Sequence, residues 1–81
     1  MTTSIELQPR AINVVVTDDF LTITLVDGRT LSIPTTWFPR LAQATPEQRA
    51  GWRLMGAGTG IRWEPVDEDI SVPRLLGLPT D

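Results

Sequence analysis

The chain has 81 residues, a formal net charge of −3 and a pI of about 4.7. This length fits one small domain with a single core and leaves no room for two. The acidic balance disfavours a phosphate backbone as the default partner. The chain contains no cysteine, histidine, lysine or tyrosine. Disulfides and thiolate sites are therefore excluded, together with most of the usual general acids and bases near neutral pH.

The N-terminal residues 1–11 are interpreted as a polar lead-in, in which Ile5 and Leu7 alternate with polar neighbours and indicate at most a short edge strand. Residues 12–77 are predicted to form a single α+β domain, and residues 78–81 a frayed end. No apolar stretch approaches the ~20 residues that a membrane helix needs, and no signal-peptide pattern opens the chain. We therefore expect a soluble, cytoplasmic protein.

Three antiparallel strands are predicted at about residues 12–17, 20–26 and 29–33. The first is rich in β-branched residues. In the second, Leu21, Ile23 and Leu25 alternate with threonines. Asp27-Gly28 then gives a strong hairpin signal, because glycine adopts positive φ without a Cβ penalty. The resulting sheet has one apolar and one hydroxyl-rich face, so its apolar face needs a cover.

Helical signals follow the third strand. A short helix or turn capped by Thr35 or Thr36 is predicted from Trp37 to about Gln43. A clearer helix is predicted at residues 46–55, because Thr45 and Gln48 form a Thr-x-x-Gln capping box. Trp52 and Met55, three residues apart, would form the buried stripe of this helix. Gly56 would end the helix in the left-handed conformation.

The glycine-rich run at residues 56–60 is predicted to reverse the chain. A phosphate-binding loop is the alternative, but the run follows a predicted helix and lacks the Gly-Lys-Ser/Thr ending. A short fourth strand is then expected at residues 61–64, and a last helix at 72–76 with Ser71 as its N-cap. The predicted fold is a three-stranded meander with this fourth strand, one face covered by two short helices. Its central core residues are Trp52, Trp63, Ile23, Leu25 and Leu31.

The acidic run Asp67-Glu68-Asp69 is the best candidate for chemistry, and three interpretations stay open. Catalysis by paired carboxylates would need an opposing acid that no pattern nominates. A calcium loop would need a glycine and a terminal glutamate that this run lacks. As a structural feature, the acids would solvate a turn and pair with arginines such as Arg62 or Arg74. We predict no catalytic residue, no metal and no cofactor.

Trp37 also has two interpretations. It follows a strand-ending proline, so it either packs at the edge of the core or stays exposed as a contact residue beside Arg40. Tryptophan and arginine concentrate binding energy at protein interfaces. A basic partner surface could then meet the neighbouring acids. The predicted partner-binding residues are Trp37, Arg40, Glu64, Asp67, Glu68 and Asp69.

A series of motifs resembles the bacterial domain family of unknown function DUF2442, over about residues 12 to 77. The matching residues are Asn13-Val14-Val15-Val16, Leu25-Val26, Asp27-Gly28-Arg29, Ile33-Pro34, Trp37-Phe38-Pro39-Arg40-Leu41, Ala44-Thr45-Pro46-Glu47-Gln48-Arg49, Trp52, Gly60-Ile61-Arg62-Trp63, Asp67-Glu68-Asp69-Ile70-Ser71-Val72 and Leu75-Leu76. One departure is Arg62-Trp63-Glu64-Pro65, since the family commonly has His-Trp-Pro there. Any role of that histidine does not carry over to Arg62.

The resemblance implies a small α+β unit, similar to the N-terminal domain of proteins that continue into a helix-turn-helix domain. It also implies gene neighbours that look like toxin–antitoxin components. It implies no catalytic residues. The leading hypothesis is therefore a non-enzymatic protein-interaction module with an antitoxin-like or regulatory role. A nucleic-acid-associated regulator is the first alternative. An enzyme that works with carboxylates alone is the second alternative. A homodimer through an edge strand or through the Trp37 region is compatible with the sequence.

Overall fold

The computed structural model describes residues 10–77, which form two three-stranded antiparallel sheets and three short helices. The first sheet contains β1 (Ala11–Val16), β2 (Phe20–Leu25) and β3 (Thr30–Pro34). The second contains β4 (Trp52–Met55), β5 (Gly60–Trp63) and β6 (Glu68–Ser71). The predictions of a short strand at Ile5 and Leu7 and of a frayed end at residues 78–81 lie outside the described residues.

The first sheet confirms the predicted meander within one residue at each strand end. Ile23 of β2 pairs with Val14 of β1 and with Leu31 of β3, so apolar residues share one face across all three strands. The hairpin at Gly28 is confirmed as well. Gly28 has a φ of 94°, and the amide of Leu25 donates to the carbonyl of Arg29 at 2.8 Å.

The three helices are α1 (Pro39–Ala42), α2 (Pro46–Arg49) and α3 (Val72–Leu75). Each has four residues, so none of the helices in residues 10–77 could cross a membrane. The predicted capping box at Thr45 is present, because the Thr45 hydroxyl accepts from the Gln48 amide at 3.1 Å while the Gln48 side chain accepts from the Thr45 amide at 2.9 Å. Ser71 caps α3 as predicted, since its hydroxyl accepts from the Arg74 amide at 3.3 Å.

The prediction of one helix over residues 46–55 is wrong. The helix ends at Arg49, and after Gly51 the chain continues as β4. Glycine inside a helix costs about 1 kcal/mol relative to alanine. Pairing of Trp52 with Trp63 in a sheet also competes with a longer helix. The capping box cannot offset both effects. Trp52 and Met55 are therefore not a helical stripe. Trp52 is half-buried against the core, and Met55 is exposed.

The prediction of a fourth strand added to the meander also needs correction. The predicted strand at residues 61–64 exists as β5, but it is the central strand of a separate sheet, flanked by β4 and β6. The two sheets share a single core, in which Trp63, Ile23 and Leu25 are fully buried as predicted, while Leu31 is half-buried. The apolar face of the first sheet thus packs against the second sheet and also against Leu41 of α1 and Val72 of α3.

The two sheets come into close contact at the beginning of β1. Gly58 lies in a 3-10 turn between β4 and β5 and has a φ of 96°. A Cβ atom at Gly58 would lie 2.6 Å from the carbonyl oxygen of Ala11, which is closer than real Cβ atoms come. Glycine at this position therefore permits the contact between the sheets.

A buried arginine fixes the helices against the first sheet. The Arg49 guanidinium donates to the carbonyl of Leu41 at 2.9 Å, to the carbonyl of Ala42 at 3.0 Å and to the carboxylate of Asp18 at 2.7 Å. The carbonyl of Arg49 in turn accepts from the indole N–H of Trp63 at 3.1 Å. We call this group the Arg49 clamp. It satisfies the C-terminal carbonyls of α1, which a four-residue helix cannot satisfy internally.

Candidate functional site

Arg62 is the centre of a charged network on the outer face of the second sheet. Its neighbours Ile61 and Trp63 are buried, so strand alternation turns Arg62 outward. The guanidinium contacts Glu64 at 3.2 Å, Asp67 at 2.7 Å and Asp69 at 2.9 Å. The predicted pairing of the acidic run with Arg62 is confirmed.

Glu64 joins two arginines that would otherwise repel each other. Arg53 of β4 lies directly opposite Arg62 of β5, and like charges in that position destabilise a strand pair. The Glu64 carboxylate accepts a hydrogen bond from Arg53 and is also paired with Arg62. One carboxylate therefore lies between the two cations and reduces their repulsion.

Asp67 connects this network to the turn that carries Trp37. Its φ of 55° places it in the left-handed region, which aspartate tolerates better than most residues. Its carboxylate pairs with Arg62, and its carbonyl accepts a hydrogen bond from Arg40 of α1. Arg40 also lies 3.9 Å from the Asp67 carboxylate. We call Arg40, Arg53, Arg62, Glu64, Asp67 and Asp69 the charged face.

The arginines of the charged face lower the pKa values of two of its carboxylates. Hydrogen bonds from Arg53 and Arg62 lower the pKa of Glu64 below its ordinary range. A hydrogen bond from Arg62 lowers the pKa of Asp67, and the three carboxylates together raise the pKa of Arg62. Both carboxylates stay ionised at neutral pH, whereas a carboxyl that donates a proton there needs a raised pKa.

Trp37 is held in solvent by a turn whose flanking residues are buried. Its side chain is 68% exposed, whereas Thr35 and Leu41 are fully buried. The Thr35 hydroxyl donates to the carbonyl of Thr17 at 2.9 Å, and its amide donates to the carbonyl of Asp19 at 3.0 Å. The exposed indole is therefore attached to a fixed segment of backbone.

Five of the six residues predicted for the site occur in this region of the structure, and one does not. Arg40, Glu64, Asp67 and Asp69 belong to the charged face, and Trp37 lies three residues before Arg40. Glu68 alternates with Asp69 on β6 and is turned towards the opposite side of the strand, where it is half-buried. It makes no ion pair with the described residues.

Arg53 is the member of the charged face that sequence reasoning missed. Its signal was present, because Trp52-Arg53-Leu54 and Ile61-Arg62-Trp63 are mirror-image alternating segments around a glycine-rich turn, a pattern typical of a hairpin. The helix assigned to residues 46–55 hid this pattern. Arg74, the other predicted partner of the acids, makes no ion pair with residues 10–77.

The described residues show no group of acids arranged to hold a metal ion. The three carboxylates of the charged face converge on Arg62, whose guanidinium occupies the space that a cation would need. The charged face therefore holds paired charges in fixed positions on an open surface.

The chain is similar to a family of unknown function and to a solved structure. A family described as "Protein of unknown function (DUF2442)" matches residues 11–78. A protein of unknown function from Rhodospirillum rubrum ATCC 11170, known from a crystal structure, is 27% identical, with a TM-score of 0.69 over 89% of this chain and 90% of that chain. No curated protein matches the chain. The chain belongs to the DUF2442 family.

Proposed function

We propose that this domain is a non-enzymatic protein-binding module whose contact surface includes Trp37 and the adjoining charged face. One observation carries the proposal: Trp37 is 68% exposed although the turn beneath it is anchored by buried residues on both sides. The anchored backbone presents the indole from a fixed position on the surface.

The exposed indole supports protein binding on energetic grounds. Burial of apolar area contributes roughly 25 cal/mol per Å², and a tryptophan side chain is among the largest that a partner could cover. Interface residues that dominate affinity are enriched in tryptophan and arginine. Trp37 and Arg40 lie three residues apart in one ordered segment, so a partner could cover both.

The charged face supplies a polar margin for such a contact. Glu64, Asp67 and Asp69 have exposed carboxylates that are already oriented by arginines. Oriented charges cost a partner less ordering entropy than mobile ones, and they select among partners more than they add affinity. Basic groups of a partner could bind the free oxygen lone pairs of these carboxylates.

The two alternatives have less support. In the described part of the chain, five arginines already pair with carboxylates: Arg29, Arg40, Arg49, Arg53 and Arg62. A nucleic-acid backbone would have to compete with these pairs. Catalysis by carboxylates alone would need a raised pKa on one acid, and the shifts at Glu64 and Asp67 go the other way.

An antitoxin-like or regulatory role is the more specific form of this proposal. It is supported by the gene neighbourhoods that the family resemblance implies, and a cytoplasmic location accords with such a role. The contact at Trp37 is the part that can be tested on the isolated chain.

The test is affinity capture from lysate of the native host with three tagged chains, each with and without nuclease. The chains are the wild type, Trp37→Ala and Phe20→Ala. Phe20 is an exposed aromatic residue on the first sheet and provides a matched control. We expect one stoichiometric protein that survives nuclease, is retained by Phe20→Ala and is reduced at least tenfold with Trp37→Ala. Equal capture by all three chains would exclude Trp37 from the contact, and nuclease-sensitive capture would favour the nucleic-acid alternative.

A further inference from the structure

An open cavity of about 450 Å³ lies beside the turn that carries Trp37. Its lining residues come from the position after Trp37, from strand β6 and from helix α3. They are Phe38, Asp69, Ile70, Ser71, Arg74 and Leu75. We call this feature the Phe38 cavity. Its volume is within the range of about 300–1,000 Å³ that is typical of pockets for small organic groups, so one large side chain has room in it.

The walls of the Phe38 cavity are apolar. Phe38 and Leu75 are half-buried and pack against the core, and Ile70 is 5% exposed. A flat aromatic ring that entered the cavity would cover apolar area on these residues, and aromatic rings bury more area than most side chains.

Two charged groups at the cavity differ in their pairing. Arg74 is exposed and makes no ion pair with residues 10–77. Asp69 is already bonded in the charged face, but through one oxygen: its Oδ2 accepts from Arg62 at 2.9 Å, which leaves Oδ1 for another donor. The cavity therefore has an unpaired cation and a hydrogen-bond acceptor available to a ligand.

This combination is complementary to an indole. The guanidinium of Arg74 would be attracted to the face of the ring, and tryptophan is the strongest aromatic partner of a cation. A buried indole N–H usually needs an acceptor, and Asp69 offers one. A carboxylate or an ammonium group as ligand would suit one of the two charges and meet the other with repulsion.

Trp37 is an exposed indole on the same surface as the cavity. Its side chain is 68% exposed, and the next residue, Phe38, lines the cavity. Trp37 itself does not line the cavity, so the indole leaves the cavity of its own chain open. The indole N–H of Trp37 has no acceptor among residues 10–77.

Two-fold symmetry would allow two such contacts to form together. In a symmetric dimer the same patch of each copy meets, so residue i contacts residue j and j contacts i. A patch with charges of one sign would repel its own copy. The charged face adjoins the cavity at Asp69 and contains three arginines and three acids. This surface is therefore balanced in charge, although the whole chain has a net charge of −3.

We propose that the partner at this surface is a second copy of the chain, with Trp37 of each copy bound in the Phe38 cavity of the other. The inference rests on the function proposed above, because it names the partner of the same surface. Dimerisation adds to the free energy of unfolding only at concentrations above its dissociation constant. Unfolding of the dilute chain therefore still measures the single domain.

The experiment measures the dissociation constant of the free chain by sedimentation equilibrium, from low micromolar to millimolar concentration. We expect a monomer–dimer equilibrium that Trp37→Ala and Arg74→Glu each weaken at least tenfold. Two controls lie at exposed positions of the first sheet: Phe20→Ala removes another aromatic ring, and Ser32→Glu adds another acid. Both controls should dimerise like the wild type. Circular dichroism checks that all four variants fold.

Mixing the two weakened variants tests whether the contact is reciprocal. Neither variant alone can form an intact pair of indole and cavity. A mixed dimer retains one pair, made by Trp37 of the Arg74→Glu chain and the cavity of the Trp37→Ala chain. We expect the mixed dimer to be at least fivefold tighter than either homodimer. Because the chain has no lysine, an amine-reactive dye labels only the N-terminal amine, and the mixed species can be followed by its fluorescence.

Four results would overturn the proposal. One is a chain that stays monomeric at millimolar concentration. Another is a dimer that Trp37→Ala leaves unchanged, and the third is a dimer that either control dissociates, which would assign the interface to the first sheet. The fourth is a mixed dimer no tighter than the homodimers. A monomeric chain would leave the protein-binding function standing, because that function fails only when affinity capture is independent of Trp37.

Discussion

Two arginines in this domain make the same number of contacts in opposite surroundings. Arg49 is buried and donates to two backbone carbonyls and one carboxylate. Arg62 lies on the outer face of a sheet and binds three exposed carboxylates. The first connects α1, α2 and the first hairpin, while the second organises a surface.

The difference shows which charges belong to the fold and which are available for binding. Removing Arg49 would leave the Ala42 carbonyl without its donor and would take one donor from the Leu41 carbonyl, which also accepts from the Ala44 amide. An orphaned buried acceptor costs about 1–3 kcal/mol. Removing Arg62 would leave carboxylates that water can solvate, and exposed ion pairs contribute little to stability. The Arg49 clamp should therefore tolerate substitution poorly, and the charged face should tolerate it well.

The largest effect is expected at Trp63, which is fully buried and donates to the carbonyl of Arg49. Trp63→Ala should lower the free energy of unfolding by about 3–5 kcal/mol, a large fraction of the stability of a small domain. Trp52→Ala, at a half-buried position in the same sheet, should cost clearly less. Urea unfolding of both variants checks the order, and equal losses would show that Trp52 contributes as much to the core as Trp63.

A smaller loss is expected for Arg49→Met, about 2–4 kcal/mol, because methionine can replace the aliphatic stem but not the three hydrogen bonds. The control is Arg53→Met on the charged face, whose ion pair with Glu64 is exposed. Urea midpoints measured side by side compare the two regions directly. The account is contradicted when the Arg53 variant loses as much as the Arg49 variant.

The pH dependence of stability should come in part from the charged face. Glu64 and Asp67 have a lowered pKa in the folded chain. Their stabilising contribution is therefore present above the unfolded pKa values, about 4.3 and 3.9, and is lost as the pH falls through the folded values. The urea midpoint should be flat above about pH 5 and fall below about pH 4. Arg62→Met should make that fall shallower, whereas an identical profile would show that the pairs contribute nothing in solution.

The sequence predicted the first sheet well because its signals are local. Alternation of Leu21, Ile23 and Leu25 and the Asp27-Gly28 turn determine strands and register within a few residues of one another. The capping box at Thr45 is also predictable, since it depends on neighbours three residues apart.

The second half was predicted less well because long-range pairing decides it. The capping box began a helix, but only pairing of Trp52 with Trp63 shows that the helix stops after one turn. Gly51 is the local signal against a longer helix, because glycine is unfavourable inside a helix. The separate sheet follows from that pairing, and so does the position of Arg53 opposite Arg62. Glu68 was included in the site because it lies between two acids, but strand alternation turns it away.

The smallest effect is predicted for Trp37, and it provides the most direct test of the central claim. If Trp37 is held in solvent for contact with a partner, Trp37→Ala should change the free energy of unfolding by no more than about 0.5 kcal/mol, as for other surface substitutions. The measurement is the urea unfolding midpoint of wild type and variant at neutral pH. Coincident curves are the result that the account predicts. A loss of more than about 2 kcal/mol would show that the indole is part of the core, which would contradict its role as a contact residue.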